Sequence, residues 1–349
     1  MSKTGWYRRS LLFAAMGSLA GAHAALPSAS ESARPLQRVK MALGANQSLY
    51  QLPLTLADQL GYFRQEGIAI EWLAHESGAK ALSQVLSGQA DVMAGAFNHL
   101  FELPAKGPAL QGFVQLGRTP QISLGVALRN GVPWRSMTDL RGLRLGVSAL
   151  DSSTHWIACQ WLLQNGLLPE DVVFVPVGSS PSVIESLRSG AIDALCNPDP
   201  VMHWLEQKNE IRLLGEARSL MGTRKLLGGP VPGSCLMTSA DFLQRYPERV
   251  QAMSDALVHA LKWLQTAGGT DLLKTVPPSH WLGDRAIYLG AFEKLREAYA
   301  LDGLVRREEV WNAWRAHARL PGKLVSARVL PEKTYTNVFA QKSKTRFGV

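Results

Sequence analysis

The stretch Asp151-Ser152-Ser153-Thr154 sets one carboxylate and three hydroxyls at the opening of a helix that runs on through Trp161-Leu162-Leu163. Hydroxyls in a first helical turn, beside N–H groups that lack an intrahelical acceptor, can hold an anionic oxygen. The same residue types also serve as ordinary N-caps, so both roles stand open for Ser152, Ser153 and Thr154. Asn46-Gln47-Ser48 forms a polar loop in an equivalent place about 100 residues earlier, where Gln47 is either a ligand amide or part of a plain turn. Phe97-Asn98 closes an apolar run: Phe97 reads as ligand wall or as core, and Asn98 as an amide donor. Asp199 stands between Pro198 and Pro200. Its carboxylate suits a ligand amine, or equally the cap of a helix starting near Val201.

Against these binding-type groups, no catalytic constellation is visible. The chain has no G-x-S-x-G, no H-E-x-x-H and no Walker A sequence, and its Ser, His and Asp residues have no triad context. No Cys/His spacing resembles a metal site, and nothing calls for a cofactor. The three cysteines, Cys159, Cys196 and Cys235, lie in apolar runs and read as buried free thiols, with one bridge the alternative.

The elements that position these loops come in two copies. Ala81 to Asp91 and Val183 to Asp193 each read as an amphipathic helix ending on Ser-Gly, then two residues, then an Asp that leads into a short apolar run. Gly88 and Gly190 fall where a helix ends on a left-handed residue, and Asp91 and Asp193 read as turn-locking groups. The copies extend outward. Val39–Gly44, a helix near Leu52–Gln59, Ile68–Leu73, the Gly88 helix and Val92–Ala96 give β-α-β-α-β. Leu143–Val147, the Ser153 helix, Val172–Val177, the Gly190 helix and Ala194–Cys196 repeat that order. Such alternation specifies a parallel sheet flanked by helices, and ligands bind such sheets at the carboxyl ends of the strands. Ile122–Leu128, bounded by Asn130-Gly131, and Gly233–Thr238 read as strands crossing between the lobes. From Ala240 to Leu320 the chain reads as helical and is expected to pack back on the first lobe. The segment after Pro321 lacks periodicity and is expected to be peripheral.

The chain has 349 residues, 46% hydrophobic and 19% charged, which suits two domains with real cores. Lys3, Arg8 and Arg9, an apolar run from Ser10 to Gly21 and Ala22-His23-Ala24 read as an export signal over residues 1–24, by the Sec route or a loosely matching twin-arginine one. Of the formal charge of +9, that segment supplies three, and six basic residues against Glu332 from Pro321 onward supply five more. Residues 25–320 are thus left at +1, which gives no support to a nucleic-acid partner.

Several ordered segments resemble a known family. They are Leu60-Gly61-Tyr62-Phe63 with Gly67-Ile68, Leu86 to Asp91, Asp139 to Val147, Leu187 to Ala194, and Asp241-Phe242-Leu243 with Tyr246 to Val250. Together, over about Val39 to Leu320, they are similar to the nitrate/sulfonate/taurine group of ABC-transporter substrate-binding proteins, a group that also holds thiamine-pyrimidine binders. The resemblance implies an α/β, type II periplasmic-binding fold, with two lobes of mostly parallel sheet joined by two hinge crossings. It places lobe 1 at 36–125 plus 236–320, lobe 2 at 126–235, and a basic tail at 321–349. It implies a monomeric periplasmic protein without enzymatic activity, metal or cofactor. Such a protein closes on a small organic anion (sulfonate, taurine or nitrate-like) and delivers it to an inner-membrane ABC permease driven by a separate ATPase. Carried onto this chain, the family's ligand loops fall on Gln47, Phe97, Asn98, Ser152, Ser153, Thr154 and the Pro198-Asp199 region. The alternatives are a thiamine-pyrimidine-type binder or enzyme on the same scaffold, and a ligand-sensing module for a membrane receptor.

Overall fold

Two five-stranded mixed sheets, built alike, organise the chain. The computed structural model describes residues 35–103, 108–128, 136–320 and 329–349. The expected export signal, Asn130-Gly131 and the start of the basic tail lie outside them. The first sheet holds β1 (Gln37–Gly44), β2 (Ile68–His75), β3 (Val92–Ala96), β4 (Leu110–Gln115) and β10 (Ser234–Ser239), in the order β2-β1-β3-β10-β4. The second holds β5 (Ile122–Ala127), β6 (Arg144–Val147), β7 (Val173–Pro176), β8 (Ala194–Pro198) and β9 (Ile211–Glu216), in the order β7-β6-β8-β5-β9. In each sheet three parallel strands are followed by one antiparallel strand that arrives from the other half of the chain: β10 beside β3, and β5 beside β8.

The repeated turn is built the same way twice. Gly88 and Gly190 take φ of +74° and +78°, the left-handed region that a side chain disfavours. Three residues on, Asp91 exchanges bonds with β1: its N–H donates to Lys40 O (2.9 Å) and its carboxylate accepts from Lys40 N (2.8 Å). Asp193 does the same with Arg144 at 2.8 and 3.0 Å, and also accepts from the Arg144 guanidinium. The turn aspartates therefore clamp the neighbouring parallel strand and so set the register of β1/β3 and β6/β8.

The change of sheet lies between Gln115 and Ile122, so residues 122–125, expected in lobe 1, begin the second sheet. The return lies before Ser234, so β10 belongs whole to the first sheet. The two crossings touch. Leu116 N donates to Ser234 O and Gly233 N to Gly117 O, both at 2.8 Å. A Cβ at Gly233 would stand 1.9 Å from Thr119 O, so only glycine lets the backbones meet.

The helical segment after Ala240 does not pack on the first sheet only, as expected. The long helix Pro247–Thr266 does, burying Val250, Met253, Leu257, Leu261 and Leu264. The helix Arg285–Leu295 buries Tyr288, Ala291, Phe292 and Leu295 in the same core and also meets the helix Val201–Gln207 of the second half, where Lys294 Nζ reaches Glu206 at 3.2 Å. The helix Arg307–Ala318 joins both halves: Gln115 Nε2 donates to Glu309, while Gln160 Nε2 donates to Ala316 O and Asn312 Nδ2 to Pro230 O. The described end of the basic tail is not peripheral either. The helix Val338–Phe347 buries Phe339 and Ala340, and Ser343 and Arg346 bond Asp255 of the long helix. All three thiols are buried and none is in a disulfide, and burial pushes those of Cys196 and Cys235 above the usual range.

Candidate functional site

The carboxyl ends of the parallel strands face one another across a narrow cleft. Gly44 at the end of β1, Ala45 beyond it, Gly78 after β2 and Ala94–Ala96 of β3 line it from the first half; Ser148 after β6, Ser179 after β7 and Pro198 of β8 line it from the second. The halves meet at its rim, where Leu49 N donates to Asp199 O and the Ser179 hydroxyl to Glu76 O, each at 2.9 Å. The conformation is therefore a closed one.

Two helix N-termini open onto this cleft, one from each half. The helix Ser153–Gln164 is capped by Ser152, whose Oγ accepts from His155 N and whose hydroxyl donates to Ala149 O at 2.7 Å. That cap satisfies the third N–H of the helix and leaves those of Ser153 and Thr154 without an intrahelical acceptor. The helix Gly78–Leu86 is capped by Ser77 through Lys80 N, and its first residue also lines the cleft. Thr154 Oγ1 lies 2.8 Å from Ser148 N, Ser148 Oγ and Ser152 Oγ, so this hydroxyl knits the loop to the helix start. Among the described residues the cleft lining contains no Lys, Arg, Asp or Glu. An anion held here would be balanced by oriented N–H and O–H dipoles rather than by a formal charge.

The expected ligand residues part company in this geometry. Ser153 and Thr154 line the cleft; Ser152, 1% exposed, is the cap that shapes it. Gln47 lies outside the cleft, in a small side cavity with Ser48, Pro198 and Asp199. Asn98 lies in another, beneath the cleft, with Tyr50, Trp156 and Gly233. Phe97 is core: it is fully buried and packs edge-on to Phe101 at 5.7 Å, since the chain turns at Ala96 and carries the ring away from the cleft. Asp199 is not poised for a ligand amine. Its carboxylate accepts from His203 N and pairs with Arg218 at 2.8 Å, both side chains being buried. Burial works against the Arg218 charge, yet Asp199 and Glu206 together hold its pKa above the usual value.

Other lining residues carry no sequence signal of their own. Tyr50, Gln51, Ser148 and Ser179 sit in short turns after strands. Tyr50 donates its hydroxyl to Gly233 O at the crossing, and burial lifts its pKa well above the usual phenol value. His99 lines the cleft floor. The pseudo-symmetry that singles out Asn46-Gln47-Ser48 points within a few residues of Gln51, but only the turn Leu49–Gln51 brings that side chain to the cleft.

A family model described as NMT1/THI5 like matches residues 48–267. A solved structure of a protein from Bordetella bronchiseptica RB50 has a TM-score of 0.85 at 36% identity, covering 89% of this chain and 98% of that one. The alkanesulfonate-binding protein SsuA from Xanthomonas axonopodis pv. citri, solved bound to MOPS, has a TM-score of 0.61 at 17% identity, covering 87% of this chain and 99% of that one. A curated relative, the 4-amino-5-hydroxymethyl-2-methylpyrimidine phosphate synthase of Schizosaccharomyces pombe, is 24% identical over 217 residues, 60% of this chain. The match spans 60% of that relative's length. The two-lobe arrangement of mixed sheets is thus the fold of periplasmic binding proteins.

Proposed function

The chain belongs to the NMT1/THI5-like family, and from that premise we propose that it is the exported solute-binding component of an ABC importer, capturing a small organic anion by closure of its two lobes. The observation that carries this reading is the pair of helix N-termini, from Gly78 and Ser153, that meet in one closed cleft, lined among the described residues by no Lys, Arg, Asp or Glu. Contacts to both halves stabilise the closed state by the difference in affinity between closed and open forms, which is how binding is transmitted to a permease. No described helix is long and apolar enough to cross a membrane.

Sulfonates and other monoanions without an ammonium fit this cleft better than taurine. Taurine's ammonium calls for a carboxylate, and the nearby Asp199 is already engaged by Arg218. A second reading, a binder or synthase of aminopyrimidines, is favoured by the synthase relative. Calorimetric titration of the exported form with ethanesulfonate, nitrate, taurine and an aminopyrimidine separates these readings. Saturable one-to-one heat with ethanesulfonate supports the anion binder. Heat with the pyrimidine only, or turnover of it, overturns that in favour of the second reading.

A further inference from the structure

Gln51 stands in the wall between the cleft and a neighbouring cavity lined by Asn46, Asp58 and His280, with a half-satisfied amide. Its Nε2 donates to Gly44 O at 3.0 Å, and this bond fixes the orientation of the amide, since a flipped Oε1 would face that carbonyl. The remaining Oε1 is buried in a side chain 2% exposed and has no hydrogen-bond partner. A buried amide oxygen left without a donor costs free energy that a protein ordinarily recovers from a partner. Other groups that line the cleft run the opposite way: the Ser153 hydroxyl and two helix starts can donate. The cleft is thus polar in a directional sense, with donors converging on it and a fixed acceptor in its wall.

We propose that Gln51 is a specificity-determining residue, whose Oε1 accepts a hydrogen bond from a neutral N–H or O–H donor carried by the bound anion. The site's ligand is then a hydroxylated or amide-bearing monoanion rather than nitrate or a plain alkanesulfonate. This rests on the anion-binding reading above. The lining described for the cleft holds no carboxylate, which argues for a neutral donor over an ammonium, because an amide oxygen offers a dipole and no counter-charge.

Isethionate and ethanesulfonate differ by one hydroxyl and test the assignment. In the intact exported protein isethionate is expected to bind at least about fivefold tighter, the low end of what a buried unpaired acceptor is worth. In Gln51→Leu the ratio is expected to fall within about threefold of unity, with ethanesulfonate affinity kept or improved. Gln51→Met, which keeps the length of the side chain without its amide, guards against a packing effect and is expected to behave likewise. Equal affinities in the unaltered protein overturn the assignment and leave the anion reading standing. An isethionate preference that survives both substitutions also overturns it. Failure of both sulfonates to bind the unaltered protein overturns the anion reading and this assignment with it.

Discussion

β3 and β8 end at the same point of the same topology, yet the next residue is Phe97 in one half and Asp199 in the other. Phe97 is held by apolar packing with Phe101. Asp199 is held by a buried ion pair with Arg218 and by His203 N. The two solutions anchor the same corner by different physics, while the clamps beneath them, Asp91 on Lys40 and Asp193 on Arg144, share the same backbone bonds, with the Arg144 guanidinium added in the second half. The repeat keeps the groups that set strand register and varies the residues just beyond the strand ends. The same division runs through the cleft: the first half offers the turn Leu49–Gln51 where the second offers a capped helix start with three hydroxyls.

Breaking the corner of the second half is expected to have the largest effect. Arg218→Met leaves the Asp199 carboxylate buried without its cation and should cost about 3–5 kcal/mol in urea unfolding. Asp199→Leu combined with Arg218→Met should recover most of that loss, because removing both charges removes the desolvation cost as well. A double variant no more stable than the single one would mean that the pair is not what holds this corner. The clamps sharpen the comparison from the other side. Asp91→Ala and Asp193→Ala should each cost about 1–2 kcal/mol, the worth of charge-assisted bonds to backbone N–H groups at partly exposed sites. Costs that differ by more than the roughly 1 kcal/mol an exposed ion pair such as Asp193–Arg144 is worth, measured in the same urea titration, would break the equivalence of the halves.

Much of this scaffold is legible in the chain itself because its signals are local. Gly88 and Gly190 mark helix ends, and the apolar runs around Val92 and Ala194 mark buried strands. Ile122 and Cys235 fall in the strands that exchange between sheets. The strands β4 and β9 are not legible, since Gln111, Gly112 and Gln115, or Arg212 and Gly215, interrupt their alternation, and only pairing with β10 and β5 makes them strands. In the tail, Phe339, Ala340, Ser343 and Phe347 do recur at helical spacing, but the surrounding lysines and arginines obscure that stripe. The site is the least legible part. Ser153 and Thr154 follow from helix-start chemistry, whereas the Asp199 partner lies 19 residues away at Arg218, beyond any local pattern. Gln51 and Ser179 are ordinary turn residues until the two halves close on each other.

The central claim is that the start of the helix Ser153–Gln164 holds the anion, and one substitution separates that role from its structural one. An acidic residue in a first helical turn favours the helix by about 0.3–1 kcal/mol while repelling a bound anion. Titration of Ser153→Asp with isethionate, alongside its thermal unfolding, should therefore find binding abolished and stability unchanged or raised. Binding retained within about threefold in a folded Ser153→Asp protein would contradict the account.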